Sequence, residues 1–263
     1  MKYCLSVSLH NLYFDIAIVD EKHNIVGRKH CLYDRSKDVS TNIYLEYKRK
    51  FAKYNVKGVG VGVSNNIKFK DDVIYSIKAF NFNRYNLKQA LFKLFKEDVI
   101  IIEETYAASL GVYSSMECNS LLYVIADNQI SNSFVVDKEL VALEDDIDLS
   151  KNEQLNSLCC KSTLKRSFLS NNLDDDYIGG YFISNNELVK NIIKEWAHTL
   201  NLYLEKIVKE LKVDKIVLAG YMGEYFNYYK QFMNISKRIE CDCTSNHVLE
   251  TLIGISHLIF KDN

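Results

Sequence analysis

The chain has 263 residues, 48% of them apolar, with 33 basic and 34 acidic side chains and a formal net charge of −1. That is ample for one large domain or two lobes, while the balanced charge argues against nucleic acid or an anionic membrane as a partner. The opening MKYCLSVSL is too short and too polar for a signal peptide, and no run approaches the roughly 18 apolar residues of a membrane span.

Seven cysteines, Cys4, Cys31, Cys118, Cys159, Cys160, Cys241 and Cys243, are scattered without a secreted framework, which fits reduced thiols in a cytoplasm. Proline is absent, so turns of fixed geometry must rest on Gly, Asn, Asp or Ser.

In chain order, residues 3–9, 12–20 and 24–33 predict three consecutive strands, with DEKHN (20–24) as a turn. Residues 39–54 predict an amphipathic helix. VKGVGVGVS (56–64) predicts a buried strand whose glycines permit close backbone approach. Leu87, Ala90, Leu91, Leu94 and Phe95 recur at helical spacing within a helix over 86–97. The strand VIII (99–102) then meets Glu103-Glu104 and a helix from about 105.

A second set of strands covers 119–127, 130–137 and 139–143. The polar stretch 144–185 has a short helix near 155–169. A long helix spans 186–212, followed by a strand over 214–220, a helix over 223–233, a strand over 238–243 and a last helix over 246–260. The βββαβαβα order occurs twice. This predicts a two-lobed α/β architecture, the actin-like ATPase or ribonuclease H-like fold. Its N-terminal lobe is 1–117, with 246–260 packing back on it, and its C-terminal lobe is 118–245.

Several segments, in order, resemble the ROK family of bacterial sugar kinases and repressors, part of the actin/hexokinase/Hsp70 superfamily. LSVSLHNLYFDIAIVDEKHNIV resembles the family's first phosphate hairpin and VGVGVS its IGIGVPG strand. VIIIEETYAASLG resembles the segment with the catalytic acid, and DNQISNSFVVDKEL the second phosphate hairpin. DKIVLAGYMGE resembles the adenosine-side IVLGGGV, and LIGISHLIF the closing helix.

The departures fall on the chemistry. Ser8 stands where the family's magnesium-organising Asp is implied. His10-Asn11-Leu12 replaces the Gly-Gly-Thr turn that offers bare backbone N–H groups to phosphate. Asp127-Asn128-Gln129-Ile130-Ser131-Asn132-Ser133 replaces a glycine-rich turn, and Asp127 adds a negative charge there. Of the adenosine-side glycines, Gly220 remains. The resemblance thus marks His10, Asn11, Asn128, Ser131 and Gly220 as degenerate nucleotide-site positions.

The family's zinc motif, a His followed by C-x-C-G-x-x-G-C, has no counterpart. Residues 141–185 hold no histidine and only Cys159-Cys160. No metal site is expected, and zinc least of all. Cys241 and Cys243 alternate on one strand face and read as small core residues.

The resemblance places Glu103 on a family Asn and Glu104 on the catalytic base. A carboxylate within reach of a sugar hydroxyl can take its proton, but one extra methylene displaces the oxygen by about 1 Å, which can cost roughly 100-fold in rate. The simpler reading is two acids complementing a helix dipole, worth about 0.3–1 kcal/mol each. Asn65, Asn66 and Asn81 lie where side-chain amides would meet sugar hydroxyls, and each also reads as an ordinary turn residue.

Phosphoryl transfer depends on positioning and charge stabilisation, and the magnesium acid, both phosphate turns and the zinc lobe depart together. The expectation is therefore a sugar-kinase fold without catalysis, acting as a small-ligand-binding, regulatory or interaction protein. It needs no cofactor, its ligand is sugar-like and its assembly is a homodimer. A chain opening directly on its first strand is not expected to bind DNA alone. The alternatives are a divergent ATP- and magnesium-dependent sugar kinase using Glu104 as base, and a purely structural dimerisation scaffold.

Overall fold

The computed structural model describes residues 1–149, 157–174 and 177–261. The chain divides into two compact units, one formed by Met1–Ser115 with the chain from Val248 onward, the other by Met116–His247.

The first unit opens with the meander β1 (Tyr3–Leu9), β2 (Tyr13–Asp20) and β3 (Ile25–Leu32). Next come α1 (Val39–Phe51), β4 (Val56–Val63), three two-residue strands β5 (Phe69–Lys70), β6 (Val73–Ile74) and β7 (Tyr85–Asn86), α2 (Leu87–Phe95), β8 (Val99–Glu103) and α3 (Glu104–Tyr113). The main sheet has the order β3-β2-β1-β4-β8, antiparallel through the meander and parallel from β1 to β4 to β8. Parallel neighbours require crossovers: α1 lies in the connection from β3 to β4, and α2 in that from β4 to β8.

The second unit repeats this plan. Its meander is β9 (Ser120–Ala126), β10 (Ile130–Val136) and β11 (Glu139–Val141). The helices α4 (Lys161–Ser170), α5 (Ile178–Ile183) and α6 (Glu187–Glu210) precede β12 (Lys215–Ala219). Two short helices, α7 (Gly220–Glu224) and α8 (Phe226–Tyr229), and two 3₁₀ turns lead to β13 (Glu240–Cys243). The sheet order is β11-β10-β9-β12-β13, again with β12 parallel to both neighbours. The helix α9 (His247–Ile259) follows, and its Leu252 packs with Cys4, Ala17 and Val19 of β1 and β2.

Without proline, helix starts rely on polar caps. Asp38 accepts from the Thr41 N–H, Asn86 from Gln89 N–H, and Asn186 from the N–H groups of Leu188 and Val189. The alternate glycines of β4 face α9; a Cβ at Gly60 would lie 2.2 Å from Ile255 Cγ2. At Gly254 a Cβ would lie 1.7 Å from the Ala107 carbonyl oxygen, so α9 and α3 cross in backbone contact.

Two helix expectations need correction, and one stretch went unread in the sequence. The stretch between β4 and α2 holds a small sheet, β5-β6-β7, with its tight turn at Asp71 and Asp72, both at positive φ. Strands of two residues carry no readable alternation. The helix expected over 223–233 is broken, because the Met222 carbonyl accepts from Tyr225 N–H at 3.2 Å and from the Tyr229 hydroxyl at 3.1 Å, which stops the i−4 ladder there. The helix expected near 155–169 is described as Lys161–Ser170, and residues 155–156 of that expectation lie outside the described residues. Cys241 and Cys243 are partly buried against the second unit's core.

Candidate functional site

In the first unit, β8 delivers Glu104 to the start of α3, and the residue turns inward rather than toward solvent, with 2% of its surface exposed. The Ser8 hydroxyl donates to Glu104 Oε1 at 3.1 Å, and Ser8 Oγ lies 3.0 Å from His10 Nε2. A hydroxyl has one hydrogen and a carboxylate only accepts, so Nε2–H must be the donor to Ser8. The same ring nitrogen lies 3.5 Å from Glu104 Oε1. The acid and the serine thus meet one nitrogen of the imidazole. A nucleophilic triad would need them on opposite nitrogens, which excludes a serine hydrolase arrangement.

His10 and Glu104, placed by the sequence resemblance at a nucleotide position and a catalytic one, are here in a single buried cluster. The His10 ring stacks on Tyr13 at 4.5 Å, and Tyr13 meets His30 at 4.7 Å. Sequence reasoning missed the next member. Asp15 sits directly opposite Ser8 on β2 and opposite His30 on β3, so the three share one sheet face. Its carboxylate is 2% exposed and accepts from Arg28 Nη2 at 2.9 Å and Nε at 3.1 Å, with His30 Nδ1 at 3.1 Å. An acid inside the apolar run YFDIAIVD was the signal available.

Asn11, at the tip of the β1–β2 hairpin, is used inside the unit. Its Nδ2 donates to the Asn66 carbonyl at 3.0 Å and to Asn66 Oδ1 at 2.9 Å, and its Oδ1 accepts from Lys78 N–H at 3.0 Å. Asn65 Oδ1 accepts from the Thr105 hydroxyl at 3.0 Å. Glu103 ends β8 and makes no side-chain cap on α3, and Asn81 is exposed in the loop before β7.

In the second unit, the corresponding turn is closed by its own side chains. Asp127 Oδ1 accepts from Asn128 N–H at 2.9 Å, and the Asp127 carbonyl accepts from Lys161 N–H at 2.8 Å. Asn128 is exposed, while Ser131, Asn132 and Ser133 are buried on β10. Asn132 donates to the Ile147 carbonyl at 3.0 Å and accepts from Leu149 N–H at 2.7 Å. Gly220 has φ +77, and a Cβ there would lie 3.0 Å from the Ala126 carbonyl oxygen, so only glycine suits the turn.

The residue after that glycine, Tyr221, holds the Lys161 ammonium 3.5 Å from its ring centroid. Partial burial lowers the Lys161 pKa, with Asp127 opposing the shift. Neither turn, His10-Asn11-Leu12 or Asp127-Asn128-Gln129, contains a residue at positive φ. Among the described residues no group of three or more His, Cys, Asp or Glu is placed to hold a metal ion, and no helix is long and apolar enough to cross a membrane.

No family model matches the sequence, and no curated protein matches it either. Solved structures do. A ROK hexokinase from Thermus thermophilus superposes with a TM-score of 0.78 at 14% identity, covering 99% of this chain and 100% of that one. A ROK family glucokinase from Streptomyces griseus, in complex with glucose and AMPPNP, gives a TM-score of 0.73 at 11% identity over 97% of this chain and 98% of that one. A ROK family transcriptional regulator, homologous to the E. coli Mlc protein, gives 0.79 at 10% identity over 99% of this chain and 78% of its own. At such identities the likeness carries fold and not activity: the chain has the two-unit, actin-like ATPase fold of ROK-family sugar kinases and regulators.

Proposed function

We propose that this chain is a ROK-fold protein that does not transfer phosphate, and that it binds a small sugar-like molecule as a regulatory or interaction protein. The observation that carries this reading is the engagement of both turns with their own side chains. Asn11 is bonded to Asn66 and Lys78, and Asp127 caps the Asn128 N–H. In a kinase of this fold those turns would present backbone N–H groups to phosphate oxygens. Ser8 brings no charge for magnesium, and the acid opposite it on β2, Asp15, is already engaged by Arg28 and His30. These residues do not fit a magnesium nucleotide.

Sugar is the ligand class because a neighbour of the same fold was solved with glucose bound. Asn65, Asn66, Asn81 and Glu103 lie at the chain positions read from the family resemblance as sugar-binding.

One observation favours the alternative of an active kinase. Glu104 is buried at the start of α3 with a hydroxyl beside it, which is where the family resemblance implies a general base. Against that, its Oε1 already has two donors of the protein within 3.5 Å, Ser8 and His10.

The test is calorimetry and thermal shift with Mg-ATP, glucose and a panel of other hexoses. A sugar that binds only the folded state raises stability by about 2.7 kcal/mol at a hundredfold excess over its Kd. The expected outcome is a shift with one or more sugars and none with Mg-ATP. Phosphorylation of any sugar by the wild type, lost in Glu104→Gln, overturns the proposal in favour of the kinase.

A further inference from the structure

In the first unit, away from the cluster around Glu104, two imidazoles lie face to face. His23, in the turn between β2 and β3, stacks on His257 near the end of α9, with ring centroids 3.5 Å apart and planes 23° from parallel. His23 takes a positive φ of 64, a left-handed backbone uncommon outside glycine. The contact that accompanies this geometry is a hydrogen bond. His23 Nδ1 lies 2.8 Å from Ser256 Oγ. The Ser256 hydroxyl already donates to the Ile253 carbonyl at 2.6 Å, so Nδ1–H is the donor and Ser256 the acceptor.

The hydrogen bond and the stack join the β2–β3 turn to the last two turns of α9. The same helix crosses α3 at Gly254 and Ala107, one turn beyond Glu104.

We propose that the His23–His257 stack is a pH-sensitive clasp that fastens the end of α9 to the β2–β3 turn when both rings are neutral and releases it when they take up protons. Two imidazolium ions at this separation repel, since like charges this close disfavour ionisation of both. Asp20 is the charged group that acts on His23; the neighbouring chain also carries Glu21 and Lys22 on the turn, Lys2 just before β1, whose carbonyl accepts from Glu21 N–H, and Lys261 just after α9. Asp20 is the one that opposes release, and its carboxylate is already engaged by the N–H groups of Lys22 and Asn24.

Burial holds the His23 pKa below its ordinary value of 6.5, with Asp20 opposing. The opened state therefore takes up protons first as pH falls. The clasp is at full strength above 6.5 and weakens below it.

Hydrogen exchange of residues 253–261, corrected for intrinsic rates and compared with α1, tests this on the whole chain. Between about pH 7.5 and pH 5.5, protection of that segment should fall several-fold relative to α1, because protons bind the opened state in preference to the stacked one. In His257→Phe a protonated His23 would lie on a π face, which attracts rather than repels it, and the fall should shrink to the part that burial of His23 alone supplies. In His23→Asn, whose side chain tolerates the left-handed backbone, protection should be lower at neutral pH and flat with pH. Unchanged wild-type protection overturns the clasp, and so does a wild-type fall that either folded variant retains in full.

Discussion

The two units share one topology, yet they close their equivalent hairpin turns in different ways. In the first, the β1–β2 turn is held from outside. Asn11 reaches to Asn66 and to Lys78, more than fifty residues along the chain, while His10 folds under the turn onto Ser8 and Glu104. In the second, the β9–β10 turn is capped from within by Asp127, and the locking amide, Asn132, sits deep on the strand, where it fixes residues 147 and 149. The first unit thus keeps a buried acid with titratable company. The second has a lysine laid on a tyrosine ring beside its one left-handed glycine. A duplicated backbone does not require duplicated chemistry; each turn is specified by whichever long-range partner its side chains can reach.

The contrast is sharpest at the two amides. Asn132 is 1% exposed and satisfies a backbone donor and a backbone acceptor at once. Asn132→Ala removes both bonds from a buried site, at roughly 1–3 kcal/mol each, so the second unit should lose about 3 kcal/mol. Urea unfolding followed at Trp196, which is buried in the second unit's core, would report a lower midpoint with an unchanged slope. A loss below about 1 kcal/mol would mean the 147–149 segment is held by other contacts.

Much of this architecture was legible in the sequence, because buried meander strands and the glycine strand 56–63 impose period-two patterns and close approaches that survive divergence. The duplicated order, the long helix and the closing helix follow from the same periodicities. What escaped was set by pairing across strands. Asp15 reads as one acid in an apolar run, and only the register that puts Ser8 and His30 opposite it makes it a partner of Arg28. His10 reads in the sequence as part of a degenerate phosphate turn, and its stacking on Tyr13 accompanies the inward turn to Glu104. Likewise the break after Met222 depends on the Tyr229 hydroxyl, a side-chain contact that helical periodicity does not encode.

The next effect tests the chemistry that the first unit retains. In Glu104→Ala the Ser8 hydroxyl and His10 Nε2–H lose a buried acceptor, and the volume of a buried side chain is vacated. Ser8 and His10 can still bond to one another, so the cost should be about 2 kcal/mol rather than the sum of two orphaned donors. Glu104→Gln keeps the volume and an acceptor oxygen and should cost about half as much. Chemical denaturation monitored by hydrogen exchange of β1 and α3 would separate the two variants. Equal losses in both would show that the carboxylate charge, not its shape, holds the cluster.

The smallest effect belongs to Asn11, and it decides whether the two turns differ in energy as they do in geometry. Its amide is only partly buried, and its partners, the Asn66 carbonyl and the Lys78 N–H, lie near solvent. Water can replace those bonds, so Asn11→Ala should cost about 1 kcal/mol or less. Its structural consequence should exceed its energetic one. Released from Asn11, the loops at 66 and 78 should exchange amide hydrogens faster, while β1 and β2 remain protected by their ladder. If Asn11→Ala instead destabilises the first unit as much as Asn132→Ala destabilises the second, the hairpin tip is part of the fold's cooperative core. The two turns are then energetic equivalents built from different bonds.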